Sequence, residues 1–179
     1  MIIALTWSPN LLIMRKLFLP LLVLVAITQG CQKSEKKKAF EFNQKLAAIS
    51  LNLNTKGQGL GTDLKAAFTS HDFSKVRTTI DSLGKFVDQK IEELKATENV
   101  AGSEKLKESM LDFLNFEKTM INKGFEPFAN MDENTSEAEI QDAIKNMSRE
   151  TENENDYLAK VRDEQKKYAD KNGFKIASK

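Results

Sequence analysis

The sequence predicts an all-α fold, an up-down-up-down antiparallel four-helix bundle over residues 39–176, preceded by an apolar leader (1–30) and a charged tether (31–38). Three observations lead there. Past Cys31 only Pro127 remains of three prolines, and Ala, Leu, Lys, Glu and Gln, all good helix formers, are abundant. Apolar residues recur at steps of three and four through four successive segments, which places them on one face of each helix. No window keeps the period-two alternation of a strand. Amphipathic helices joined by short connections bury their stripes most simply against one another, as an antiparallel bundle. The competing architecture is a long two-helix hairpin that pairs with other chains.

The first helix is expected from about Lys38 to Thr69, with Leu46, Ile49, Leu53, Leu60, Leu64, Ala67 and Phe68 on one face. Gly57, Gly59 and Gly61 interrupt it, each costing about 1 kcal/mol relative to alanine. Either the helix continues there with close packing, or it kinks. The triple is no phosphate loop, since no strand precedes it and no Lys-Ser/Thr follows at the required spacing. The second helix is the clearest, with Phe73, Val76, Ile80, Leu83, Val87, Ile91 and Leu94 in register, Asp72 as N-cap and an end near Asn99 before Gly102. Ser103 is the expected cap of the third, which carries Leu106, Met110, Phe113, Leu114, Met120, Ile121 and Phe125. Gly124 and Pro127 mark its end or a bend. Ser136 and Glu139 form a capping box. It opens a fourth helix expected to run unbroken to about Lys171, with Gly173 as its stop and Phe174 and Ile176 folding back. The seam of that helix reads Ile140, Ile144, Met147, Thr151, Glu154, Leu158, Val161, Gln165 and Tyr168.

Before these helices, Arg15 and Lys16 precede an apolar stretch from Leu17 to Ile27, and Thr28-Gln29-Gly30 leads into Cys31, the only cysteine. A positive start, a short apolar run and a small residue before the cut are the parts of a secretory signal. The run falls short of the roughly 20 residues that span a bilayer. Met1 to Ile13 carries no positive charge, and Met14 is the expected true start. Residues 1–30 are therefore a signal region, and Trp7, the only tryptophan, leaves with it. A lone exposed thiol is a liability in an oxidising compartment, and lipidation of Cys31 removes it. Gln32 to Lys38 then reads as a flexible spacer, whose lysines are also in reach of anionic headgroups.

This segment resembles the signal of bacterial lipoproteins, in which the residue after the cut is a cysteine that receives a palmitate-type lipid. Gly30 matches the last place of the cleavage box; Thr28 and Gln29 depart from it, and Ile27 stands one place early. With its helices and its closing segment from Tyr168 to Ile176 (YADKNGFKI), the chain resembles a family of small surface lipoproteins of spirochaetes and related envelope-bearing bacteria. The resemblance implies a membrane-anchored helical domain outside the cytoplasm, at the outer membrane or cell surface, and supplies no catalytic residues.

Composition and motifs exclude several classes of function. The formal net charge of +1 lacks the basic excess expected of a nucleic-acid-binding chain. One histidine, His71, with no Glu-x-x-His pair, makes a poor metal or acid–base centre. Glu150, Glu152, Glu154 and Asp156 lack the spacing of a calcium loop and read as a solvated face. No catalytic group, metal or cofactor is expected. Glu154 is the exception on that face, because it lies on the seam where an unpaired carboxylate is costly to bury. Either the helices are open there, or a Lys or Arg pairs with it. Thr151, Glu154 and Gln165 are thus the candidate ligand-binding residues. Two functions remain: a lipid-anchored, non-enzymatic binding or structural module of the cell envelope with an unidentified protein partner, or a periplasmic carrier or sensor of a small ligand held among the helices.

Overall fold

The computed structural model describes residues 33–176. They form α1 (Lys33–Ser70), α2 (Ser74–Ala96), α3 (Glu104–Met120), a π turn (Ile121–Phe125), α4 (Glu126–Ala129), α5 (Glu137–Glu150) and α6 (Glu154–Lys171). The domain is all-helical, with no strand among the described residues.

Helix α1 is one unbroken rod of 38 residues, about 57 Å long at 1.5 Å per residue. It departs from expectation twice. The charged segment read as a flexible spacer is helical from Lys33 onward. Lys38 pairs with Glu35 at 3.3 Å and Lys37 with Glu41 at 3.7 Å, both at helical spacing. Ala39 and Phe42 are buried immediately afterwards and anchor that first stretch on the core. The three glycines do not break the rod either, because Leu53, Leu60 and Leu64 are buried on both sides of them. Tertiary burial offsets their low propensity.

Polar pairs record how the helices meet. Lys45 pairs with Glu93 at 3.0 Å, Lys56 donates to Ser82 at 3.4 Å, and Asp63 receives Lys75 at 2.8 Å and Thr79 at 2.7 Å. These pairs join α1 to α2 along their length. Between α2 and α3, Lys118 pairs with Asp88 at 2.6 Å, and Lys107 donates to the Thr97 carbonyl. Between α3 and α6, Lys160 pairs with Asp112 at 2.7 Å, and Phe116 stacks on Tyr157 at 4.7 Å. Helix α6 returns to α1 through Gln165 and Asn43 at 2.8 Å and through Phe42 and Tyr168 at 6.0 Å.

The connections follow local chemistry. Asp72 accepts the Ser74 N–H at 2.9 Å, while Phe73, fully buried, occupies the capping position itself. Helix α2 ends at Ala96, three residues before the expected stop, and Ala101 (φ 50°) and Gly102 (φ 78°) turn the chain. Ser103 occupies the N-cap position of α3 as expected, but its side chain makes no capping hydrogen bond; its hydroxyl accepts the Val100 N–H at 2.9 Å and tightens that turn instead. The bend expected at Gly124 and Pro127 is the π turn followed by α4, whose first turn holds Pro127 where no amide donor is required. Phe128 is fully buried and meets Phe68 edge-on at 5.8 Å, closing this end of the core.

The expected fourth helix is two helices. Ser136 and Glu139 form the capping box of α5. The α-helical ladder is then interrupted by a turn at Thr151–Asn153, although Thr151 and Asn153 keep right-handed helical dihedrals, and the Thr151 hydroxyl donates to the Ser148 carbonyl at 2.9 Å. Thr and Asn are weak helix formers. More decisively, α5 lies against the π turn whereas α6 lies against α3, so the chain changes support between them. At the C-terminal end Gly173 (φ 67°) ends α6, and buried Phe174 folds back on Tyr168 at 6.0 Å, as the sequence suggests.

Candidate functional site

Thr151, Glu154 and Gln165 are all buried, as seam positions should be. They do not form one site. Thr151 is the C-cap of α5, and its carbonyl accepts the Glu154 N–H at 3.2 Å, so these two sit together at the α5–α6 break. Gln165 lies three turns further along α6, roughly 16 Å away at 1.5 Å per residue. Its side-chain amide donates to Asn43 of α1, and the Asn43 Nδ2 atom finds no acceptor among the described residues.

Glu154 is 1% exposed, so the helices are not open around it, and among the described residues no Lys or Arg pairs with it. Both expectations for it fail. Glu117, on α3, is also 1% exposed, and the charge of Glu154 bears on it. Glu117 Oε1 and Glu154 Oε2 are buried without a hydrogen-bond partner among the described residues. Burial pushes the Glu154 carboxyl up to about 7. Burial, and then the charge on Glu154, holds Glu117 well above the usual carboxylate range. A charge on Glu154 makes proton loss from Glu117 harder. Both shifts favour the protonated carboxyl, the form whose burial costs less. Chemically this is a buried proton-holding pair able to accept a hydrogen-bond donor or a single positive charge.

Glu117 and Asn43 escaped the sequence reading, although each lies in register with its helix's apolar face. Glu117 stands four residues after Phe113 and three before Met120; Asn43 stands four after Ala39 and three before Leu46. A polar residue in register on an apolar stripe was the available signal.

No family model matches this chain, and no match was found among curated proteins or solved structures. The functional reading therefore rests on its own residues.

The other candidates are scattered. His71 is exposed in the α1–α2 turn. Glu152 and Asp156 face solvent while Glu154 faces inward, so the acidic run does not converge. Among the described residues no group of three His, Cys, Asp or Glu side chains is placed to hold a metal ion, and no helix is long and apolar enough to cross a membrane. A shallow groove of about 480 Å³ on the α1–α2 surface is lined by residues that include Lys56, Asp81, Ser82, Lys85 and Phe86, and neither Glu117 nor Glu154 lines it. Cys31 lies outside the described residues, as do the signal region and Trp7.

Proposed function

We propose that this chain is a lipid-anchored, non-enzymatic binding or structural module of a bacterial cell envelope, displayed at the outer membrane or cell surface. Its helices form an up-down-up-down antiparallel bundle, a reading supported by the descending pairs Lys45–Glu93 and Asp63–Lys75 and by their counterparts at the other helix junctions. The observation that carries the function is the order of parts at the N-terminus: basic residues, an apolar run, Cys31, and a helix opening at Lys33. Lipid on Cys31 would hold the domain against the membrane, with α1 rising from the anchor. The resemblance to small surface lipoproteins belongs to the same proposal.

Labelled palmitate fed to the native cells is expected to enter the protein, and Cys31→Ser is expected to abolish both the label and membrane association. A soluble mature protein with a free thiol would overturn the reading. Protease added to intact cells, against a lysed control, is expected to digest the domain; protection until lysis would move it to the periplasm.

The buried carboxyl pair favours a second reading, a carrier for a small cationic ligand. An ammonium group placed between Glu117 and Glu154 would supply the donors that their free oxygens lack. Under this reading, simple amines and polyamines raise the melting temperature at pH 8, and Glu117→Gln removes the shift. No shift across such a panel leaves the pair a structural feature.

A further inference from the structure

The two ends of the domain carry opposite charge. Segments 33–41, 95–107 and 166–175 contain eleven lysines against five acidic residues. Segments 69–79 and 122–142, at the other end, contain three basic against seven acidic residues. The fold gathers the first group. Phe40 meets Phe174 edge-on at 5.8 Å, Tyr168 donates to the Val100 carbonyl at 2.9 Å, and Asn172 donates to the Ala101 carbonyl at 3.4 Å. These contacts bring the start of α1, the α2–α3 turn and the end of α6 into one face. Lys36 lies beside Gly173 and Lys171 beside Gly102, so lysines from distant parts of the chain share that face. Lys36, Lys105, Lys171 and Lys175 form no ion pair among the described residues.

We propose that this basic end is a docking face for an anionic phospholipid surface, seating the domain upright with its acidic end pointing away. Helix α1 begins at this end, and Cys31 precedes it by two residues in sequence, so a lipid on Cys31 would place the face near headgroup level. The proposal rests on the anchor reading for that placement, while the charge separation stands without it. Several lysines on one face add their attractions to anionic headgroups, within a screening length that salt shortens.

The test uses protein purified from its native membrane and reconstituted with vesicles of phosphatidylcholine alone, or of phosphatidylcholine mixed equally with phosphatidylglycerol. Flotation reads attachment; acylation of lysines, mapped by peptide mass spectrometry, reads orientation. The expected result is flotation with both vesicle types, with reactivity of Lys36, Lys105, Lys171 and Lys175 about fivefold lower on anionic vesicles only. High salt should restore it, and Lys85 and Lys123 should not change. The triple variant Lys105→Glu, Lys171→Glu, Lys175→Glu should lose the protection at Lys36, the one reporter lysine it retains. Flotation with both types and identical reactivity overturns the docking face and leaves the anchor. Flotation with anionic vesicles alone, reversed by salt, overturns the anchor and keeps the docking face. Flotation with neither overturns both.

Discussion

Glu154 and Glu117 place two carboxyls where a leucine on each helix would have served packing. Their titration couples to folding. The unfolded chain releases these protons near pH 4.5, whereas folded Glu154 holds its own to about 7, and burial raises Glu117 well above the usual carboxylate range as well. Between those values the folded state binds more protons, so stability falls as pH rises. The contribution is fully present below the unfolded value and is lost through the folded one, about 3 kcal/mol for Glu154 alone. Urea midpoints are expected to fall from pH 5 to pH 8, and Glu117→Gln with Glu154→Gln should flatten that fall. Glu154→Leu should raise stability at pH 8 by about 1–3 kcal/mol, since an apolar side chain carries no desolvation cost. A midpoint rising with pH would contradict the buried pair. The seam position of Glu154 was legible in the sequence because a heptad register assigns faces within a helix. Its neighbour was not, because a register says nothing about which residue of another helix comes opposite.

Among the elements, α1 shows how far propensity yields to packing. Its glycines lie between buried leucines, and the rod continues through them. Gly59 is exposed, and a Cβ built there has nothing within 4 Å. Gly59→Ala should therefore stabilise the domain by about 0.5–1 kcal/mol, read as a higher urea midpoint with an unchanged slope. A lower midpoint would mean that the glycine serves a contact outside the described residues. Gly124 is a different case. A Cβ there would stand 3.6 Å from the Met147 Cα, so α5 lies close over the π turn where the residue is smallest. The capping box at Ser136 was readable because it is local. The break at Thr151–Asn153 was not, because the seam spacing runs through it unchanged and the change of support from the π turn to α3 is a property of the neighbours.

For the whole molecule, the anchor reading makes a spectroscopic prediction. If the first thirty residues are removed, Trp7 goes with them, and Tyr157 and Tyr168 are the remaining emitters besides phenylalanine. Protein isolated from its native membrane should show tyrosine emission alone, and a tryptophan band would contradict processing at Cys31. The all-helical class, most helix positions and nearly every core face were determined by the sequence itself, because the three-and-four spacing of apolar residues is a local record of which side each helix buries. Three things were decided by tertiary structure. Glycines stayed helical because burial on both sides outweighs their propensity. The last helix divided because its halves rest on different partners. Two carboxyls met in the core, and lysines from three separate segments met on one end, because only the folded chain brings distant residues within reach of each other's charge.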